Sequence, residues 1–166
     1  AAAADGATRG YYPIYVGDGA ARRRVSMVEH KGGGAFLVAL LEDEQILGLA
    51  SGRDSSVLVG TRVSATEGRL YRYEPVTESV VLLGSWDGPV YSITQSRWTG
   101  DWYLAVDGSQ GIVRLAEDGT TVLPVPTGVP VSPPNLGVLQ WAPDGRLYRL
   151  VGLSDAPAGL EVYELP

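Results

Sequence analysis

Apolar residues fall in short runs separated by turn-forming residues, the pattern of strands and not of helices. One run ends in a small turn four times, as Tyr15-Val16-Gly17-Asp18-Gly19, Leu58-Val59-Gly60-Thr61, Ala105-Val106-Asp107-Gly108 and Leu150-Val151-Gly152. A second run follows each and ends in a glutamate: Arg24 to Glu29, Arg69 to Glu74, Ile112 to Glu117 and Leu160 to Glu164. A third covers Ala35 to Leu40, Ser79 to Leu83 and Thr120 to Pro124, and Asp118-Gly119 before its last copy favours a tight hairpin. A fourth, Gln45 to Ala50, Pro89 to Thr94 and Leu136 to Trp141, precedes the next copy of the first. A weak helical periodicity from Ala35 to Ile46 yields to the repeat, which places strands there.

The valines Val16, Val59, Val106 and Val151 lie 43, 47 and 45 residues apart, a period that fits a β-propeller blade. With the four runs lettered A to D from the propeller centre outwards, the chain reads BCD, ABCD, ABCD, ABC. This predicts an all-β chain of about four four-stranded blades in one domain, 1–166, with units near 11–42, 45–84, 89–124 and 136–166. The first and last units are expected to be incomplete. Ala1 to Gly10 offers no alternating apolar run for an innermost strand, and Pro166 is reached before an outermost one. Open sheet edges of that kind recruit another strand. The expectation is therefore a partial propeller, part of a longer one or completed by a partner chain; a compact four-unit ring and an open stack of sheets are the alternatives.

The segments Trp141-Ala142-Pro143-Asp144-Gly145-Arg146-Leu147-Tyr148 and Gly68-Arg69-Leu70-Tyr71-Arg72-Tyr73 resemble the blade pattern of the broad NHL-like and SMP-30/gluconolactonase-like propeller superfamily. The resemblance implies a fold and no single activity, because this architecture hosts binders, scaffolds, lyases and hydrolases alike. Trp86-Asp87 falls in a D to A connection and not at the end of strand C, so the WD40 signature is not met. An inter-blade tryptophan followed by an Asp-Gly turn is the simpler reading of that pair.

Composition narrows the function classes. Apolar residues make up 45% and charged residues 19%, with mean hydropathy +0.03, which fits neither a disordered chain nor a bilayer-spanning helix. A net charge of −6 and a pI near 4.7 oppose a nucleic-acid backbone or an anionic membrane surface. The run Arg22-Arg23-Arg24 is too short for a phosphate-tracking groove. Cysteine is absent, which removes disulfides and thiolate chemistry. The small-residue start Ala1 to Ala4 fits a mature terminus left by cleavage and equally an ordinary flexible end, so the compartment leans only slightly toward secretion or the periplasm.

The chain has a single histidine, His30, expected in a C to D turn, and a single asparagine, Asn135; no Gly-x-Ser-x-Gly elbow presents a serine. The resemblance implies a divalent metal held by carboxylates and amides at the central channel, and a chain with one asparagine cannot reproduce that set. Asp18, Asp107 and Asp155 fall in B to C turns and could offer carboxylates to calcium, but each more simply serves its turn. No cofactor and no metal are expected. D to A and B to C connections share one propeller face, and the longest, Val125 to Asn135, Gly152 to Gly159 and Arg62 to Gly68, all belong to it. Candidate binding residues there are Asp107, Asp155, Arg62, Trp86 and Asp87. Trp98, in an A to B turn, adds an aromatic contact surface. The function read from the sequence is a non-enzymatic binding or assembly module, its partner a protein or the rest of a longer propeller, with a small ligand or glycan also admitted. The alternative is a propeller-type lyase, lactonase or hydrolase with part of its active site outside this chain.

Overall fold

The computed structural model describes residues 3–4, 10–16, 24–31, 34–42, 44–74, 76–77, 79–107, 111–125, 138–151 and 159–164. These residues form strands and turns, with no helix among them. The first sheet is β1 (Ala3–Ala4), β2 (Gly10–Val16), β3 (Arg24–Lys31) and β4 (Gly34–Glu42). The second is β5 (Gln45–Ser51), β6 (Val57–Arg62), β7 (Gly68–Glu74) and β8 (Ser79–Trp86). The third is β9 (Val90–Gln95), β10 (Trp102–Val106), β11 (Ile112–Leu115) and β12 (Val122–Leu123). The fourth holds β13 (Val138–Trp141), β14 (Arg146–Val151) and β15 (Gly159–Glu164). Every pairing is antiparallel between sequence neighbours, so each sheet is a meander.

The first strands of the sheets pack in succession, β1 on β5, β5 on β9 and β9 on β13, as the inner strands of adjacent blades do. Among the described residues no strand of the fourth sheet makes a substantial contact with the first sheet.

Burial follows this geometry. β10 is buried along its whole length, and its residues alternate between two cores. Trp102, Leu104 and Val106 join Leu58, Leu70 and Ile93 between the second and third sheets. Tyr103 and Ala105 join Leu139, Trp141 and Leu147 between the third and fourth. A strand covered on both faces reads as a continuous apolar run, which is what Trp102 to Val106 is. Each buried leucine, valine or isoleucine here stabilises the fold by roughly 1.5–3 kcal/mol of transfer free energy. Two glycines let the second sheet approach β9. A Cβ at Gly60 would stand 2.7 Å from Val90 Cγ1, and one at Gly68 2.7 Å from Pro89 Cα.

The structure differs from the sequence expectation in three places. Ala3 and Ala4 pair with Tyr11 and Gly10, so the first sheet does have an inner strand. Backbone pairing needs no side-chain alternation, and two alanines carry none. His30 lies in β3, opposite Gly10 and Ala35, because the strand runs on to Lys31. β12 is cut to Val122–Leu123, since the turn before it is longer than a two-residue hairpin. There the Asp118 carboxylate accepts the N–H groups of Thr120 at 2.8 Å and Thr121 at 2.9 Å, and the Thr121 hydroxyl at 2.9 Å. These bonds lower the Asp118 pKa to about 2, the one from the Thr121 N–H most of all.

Candidate functional site

The inner strands form both the joint between sheets and the walls of a cleft. Ser92 and Thr94, two apart on β9, point to the same side and meet Leu139 and Trp141, two apart on β13. The Leu139 N–H donates to Ser92 Oγ at 3.0 Å and the Trp141 N–H to Thr94 Oγ1 at 3.4 Å. Ser92 Oγ also stands 3.5 Å from the Leu139 carbonyl. The free edge of β13 is thereby satisfied by hydroxyls, where another strand would otherwise be needed.

Next to this joint a cavity of about 390 Å³ opens between β5, β9 and β13, lined by Ser51, Arg53, Thr94, Gln95, Arg97 and Gln140 among others. A second cavity of about 260 Å³ shares Leu49, Ile93 and Gln140 with it and continues past Tyr91 and Val138. The first alone reaches the volume of a small-molecule site.

The polar lining is held from behind. Gln95 Oε1 accepts the Arg53 N–H at 3.0 Å while its Nε2 donates to the Gly100 carbonyl at 2.8 Å. Gln140 Nε2 donates to the Trp141 carbonyl at 3.1 Å. The Arg97 guanidinium lies 5.4 Å over the Trp98 ring. Trp98 in turn leans on Trp141 at 5.7 Å and 56°, and Trp141 meets Tyr103 edge-on at 5.4 Å and 75°. A ladder of rings therefore runs from the core to Arg97.

Nearby carboxylates are engaged elsewhere. Asp101 receives Arg114 Nε at 2.9 Å and Nη2 at 2.5 Å. Asp144 accepts the Tyr148 hydroxyl at 2.8 Å, and this bond, with that from the Arg146 N–H, holds its carboxyl below the usual range. Partial burial works to raise the Asp54 carboxyl, but the Ser56 hydrogen bonds and the Arg72 charge together keep it lowered. Among the described residues, no three His, Cys, Asp or Glu side chains converge as a metal site.

The expected site residues divide between two ends of β9. Before the strand, Trp86 is partly buried against the inter-sheet core, and Asp87 follows it. The Asp107 N–H donates to the Pro89 carbonyl at 2.9 Å, which brings Asp107 to the same connection. Arg62 donates to the Tyr91 hydroxyl and stacks 5.4 Å over that ring. Trp98 is at the other end, in the β9–β10 turn, and is 50% exposed. Asp155 lies outside the described residues, as do Asp18 and residues 126–137 and 152–158 of the long connections.

Glu44, Arg53, Gln95, Arg97 and Gln140 were not among the residues the sequence singled out. Glu44 is a buried structural carboxylate, accepting Thr61 Oγ1 and the Tyr71 hydroxyl at 2.6 Å and Arg69 Nη1 at 2.8 Å. A signal for the arginines was available. Each stands two residues beyond the end of an inner strand, Arg53 after Ser51 and Arg97 after Gln95, the same position in successive repeat units.

No family model and no curated protein matches the chain. Solved structures do. TolB from Acinetobacter baumannii is similar with a TM-score of 0.68 at 13% identity, over 97% of this chain and 39% of that one. A prolyl endopeptidase gives 0.63 at 15% identity, over 99% of this chain and 26% of that one. A candidate 6-phosphogluconolactonase from Bacteroides uniformis gives 0.60 at 14% identity, over 98% of this chain and 52% of that one. The chain thus spans about half the length of these structures or less. At such identities the likeness is one of fold, and the fold is all-β and propeller-type.

Proposed function

We propose that this chain is a non-enzymatic binding module that holds its ligand in the cleft between β5, β9 and β13. The lining of the cleft carries the reading. Arginine, glutamine, threonine and serine side chains recognise a ligand through charge and hydrogen bonds. Nucleophilic catalysis by a serine or threonine needs an activating base within hydrogen-bond reach of its hydroxyl. The hydrogen bonds of Gln95, Gln140 and Thr94 join side chain to backbone instead. Similar folds carry names as different as TolB, a prolyl endopeptidase and a candidate lactonase, so fold alone favours neither binding nor catalysis. In this reading the unshared faces of the first and fourth sheets are covered by further blades or a protein partner.

The test pairs a thermal-shift screen of small metabolites and glycans with lactone and glycan hydrolysis assays on the purified protein. Saturable stabilisation that Gln95→Ala and Gln140→Ala remove, without turnover, is the expected outcome. Turnover that survives repurification and is abolished by Asp107→Ala would contradict the reading and favour a lactonase-like enzyme.

A further inference from the structure

We propose that the end of this cleft beside the β9–β10 turn is a carboxylate site, in which Arg53 and Arg97 receive the carboxylate of a small organic acid. The inference deepens the binding reading above and rests on it.

Both arginines line the larger cavity, and no Asp or Glu lines it with them. This concentration of positive charge stands out on a chain of net charge −6. Among the described residues Arg97 has no carboxylate within ion-pairing distance; its one contact of note is the face of Trp98. Stacking on a ring fixes the plane of a guanidinium and leaves its N–H edges free, the arrangement in which arginine takes a planar carboxylate in two parallel hydrogen bonds. Arg53 is held only loosely by Glu117, at 4.0 Å between side chains that are 42% and 64% exposed, a pair that a ligand can displace. Its backbone is anchored by Gln95, so the side chain starts from a fixed point on the rim.

A third group points to a ligand independently of charge. Ser51 lines the same cavity, and its Oγ, shielded from solvent, has no hydrogen-bond partner among the described residues. A buried hydroxyl without a partner is disfavoured. A rotamer that turns it into the cavity would let a ligand oxygen accept its proton. Trp98 is the positioning residue here, since it acts through Arg97 and is itself braced by Trp141.

Isothermal titration of the whole chain with succinate, with its neutral diamide and with sulfate tests the assignment. Succinate is expected to bind saturably and the diamide at least about tenfold more weakly. Arg53→Gln and Arg97→Gln should each lose about tenfold, with thermal unfolding showing both variants folded. Arg97→Lys should also weaken binding, because it keeps the charge but loses the planar fork. Trp98→Leu should weaken binding and Trp98→Phe restore it, a rescue that follows from a ring face under the guanidinium. Equal affinity for succinate and the diamide, or full affinity in Arg97→Gln, would overturn the site. Sulfate binding as tightly as succinate would overturn the carboxylate assignment. A neutral ligand that occupies the cleft while no carboxylate does would overturn this inference and leave the binding module standing.

Discussion

Replacing Ser92 with alanine removes a few atoms from the centre of the molecule and should weaken the joint between the third and fourth sheets. The Leu139 N–H that donates to Ser92 Oγ at 3.0 Å belongs to a residue only 1% exposed. Its other edge is occupied by β14, so no second acceptor is at hand. A buried amide left without a partner costs about 1–3 kcal/mol, and the weaker contact of Ser92 with the Leu139 carbonyl adds little. The bond from Trp141 to Thr94 is longer, at 3.4 Å, so Thr94→Val should cost less, roughly 0.5–1.5 kcal/mol. The two sites share one strand pair, and the double variant should depart from additivity. Against a total stability of about 5–15 kcal/mol these are large fractions. Equilibrium urea denaturation measures them, with Ser85→Ala on β8 as the exposed control. Native-state amide exchange should show Leu139 losing protection ahead of β10. A Ser92→Ala loss under about 0.5 kcal/mol, with Leu139 protection unchanged, would refute the claim that side chains of β9 close the edge of β13.

Other outcomes follow from the same structure. Glu44→Gln should cost about 2–4 kcal/mol in urea denaturation, because Arg69 would lose its ionised acceptor while two hydroxyls compete for a neutral amide. Burial first, and then the Glu44 hydrogen bond, raises the Tyr71 phenol, and burial likewise raises Tyr103. A group whose folded pKa is raised gives stability that is complete below its unfolded value near 10 and lost above it, so the unfolding midpoint should fall above about pH 10 as tyrosinate absorbance rises. Asp118, lowered to about 2, works in the opposite sense: its contribution is present above about pH 4 and lost as pH falls through about 2, and Asp118→Asn should flatten that part of the profile. Trp98→Ala should change stability by no more than about 1 kcal/mol, because the side chain is half exposed; a loss of 3 kcal/mol or more, about the cost of a core tryptophan, would return it to the core.

The fold was legible where side chains mark it. Val59 and Val106 fall in β6 and β10, where the repeat placed second strands, and the unbroken apolar run of β10 is the mark of a strand covered on both faces. The inner strand at Ala3–Ala4 was not legible, since it consists of backbone pairing alone. The cleft was hidden for a different reason. Sequence reasoning looked for function in the longest connections, whereas Arg53 and Arg97 sit in short turns whose proximity depends on how β5 packs on β9. The hydroxyls of Ser92 and Thr94 read as ordinary strand residues until β13 is placed beside them.

The claim that the cleft, and not the face around Asp107, is the binding site is tested most directly by mapping a saturating ligand on the backbone amides. The shifts expected to move most are those of Leu47 to Arg53, Tyr91 to Gln95, Arg97 and Val138 to Gln140, the residues that line the two cavities. Shifts concentrated instead at Arg62, Asp87 and Asp107, with the cleft amides unmoved, would contradict the account and return the site to the opposite end of β9.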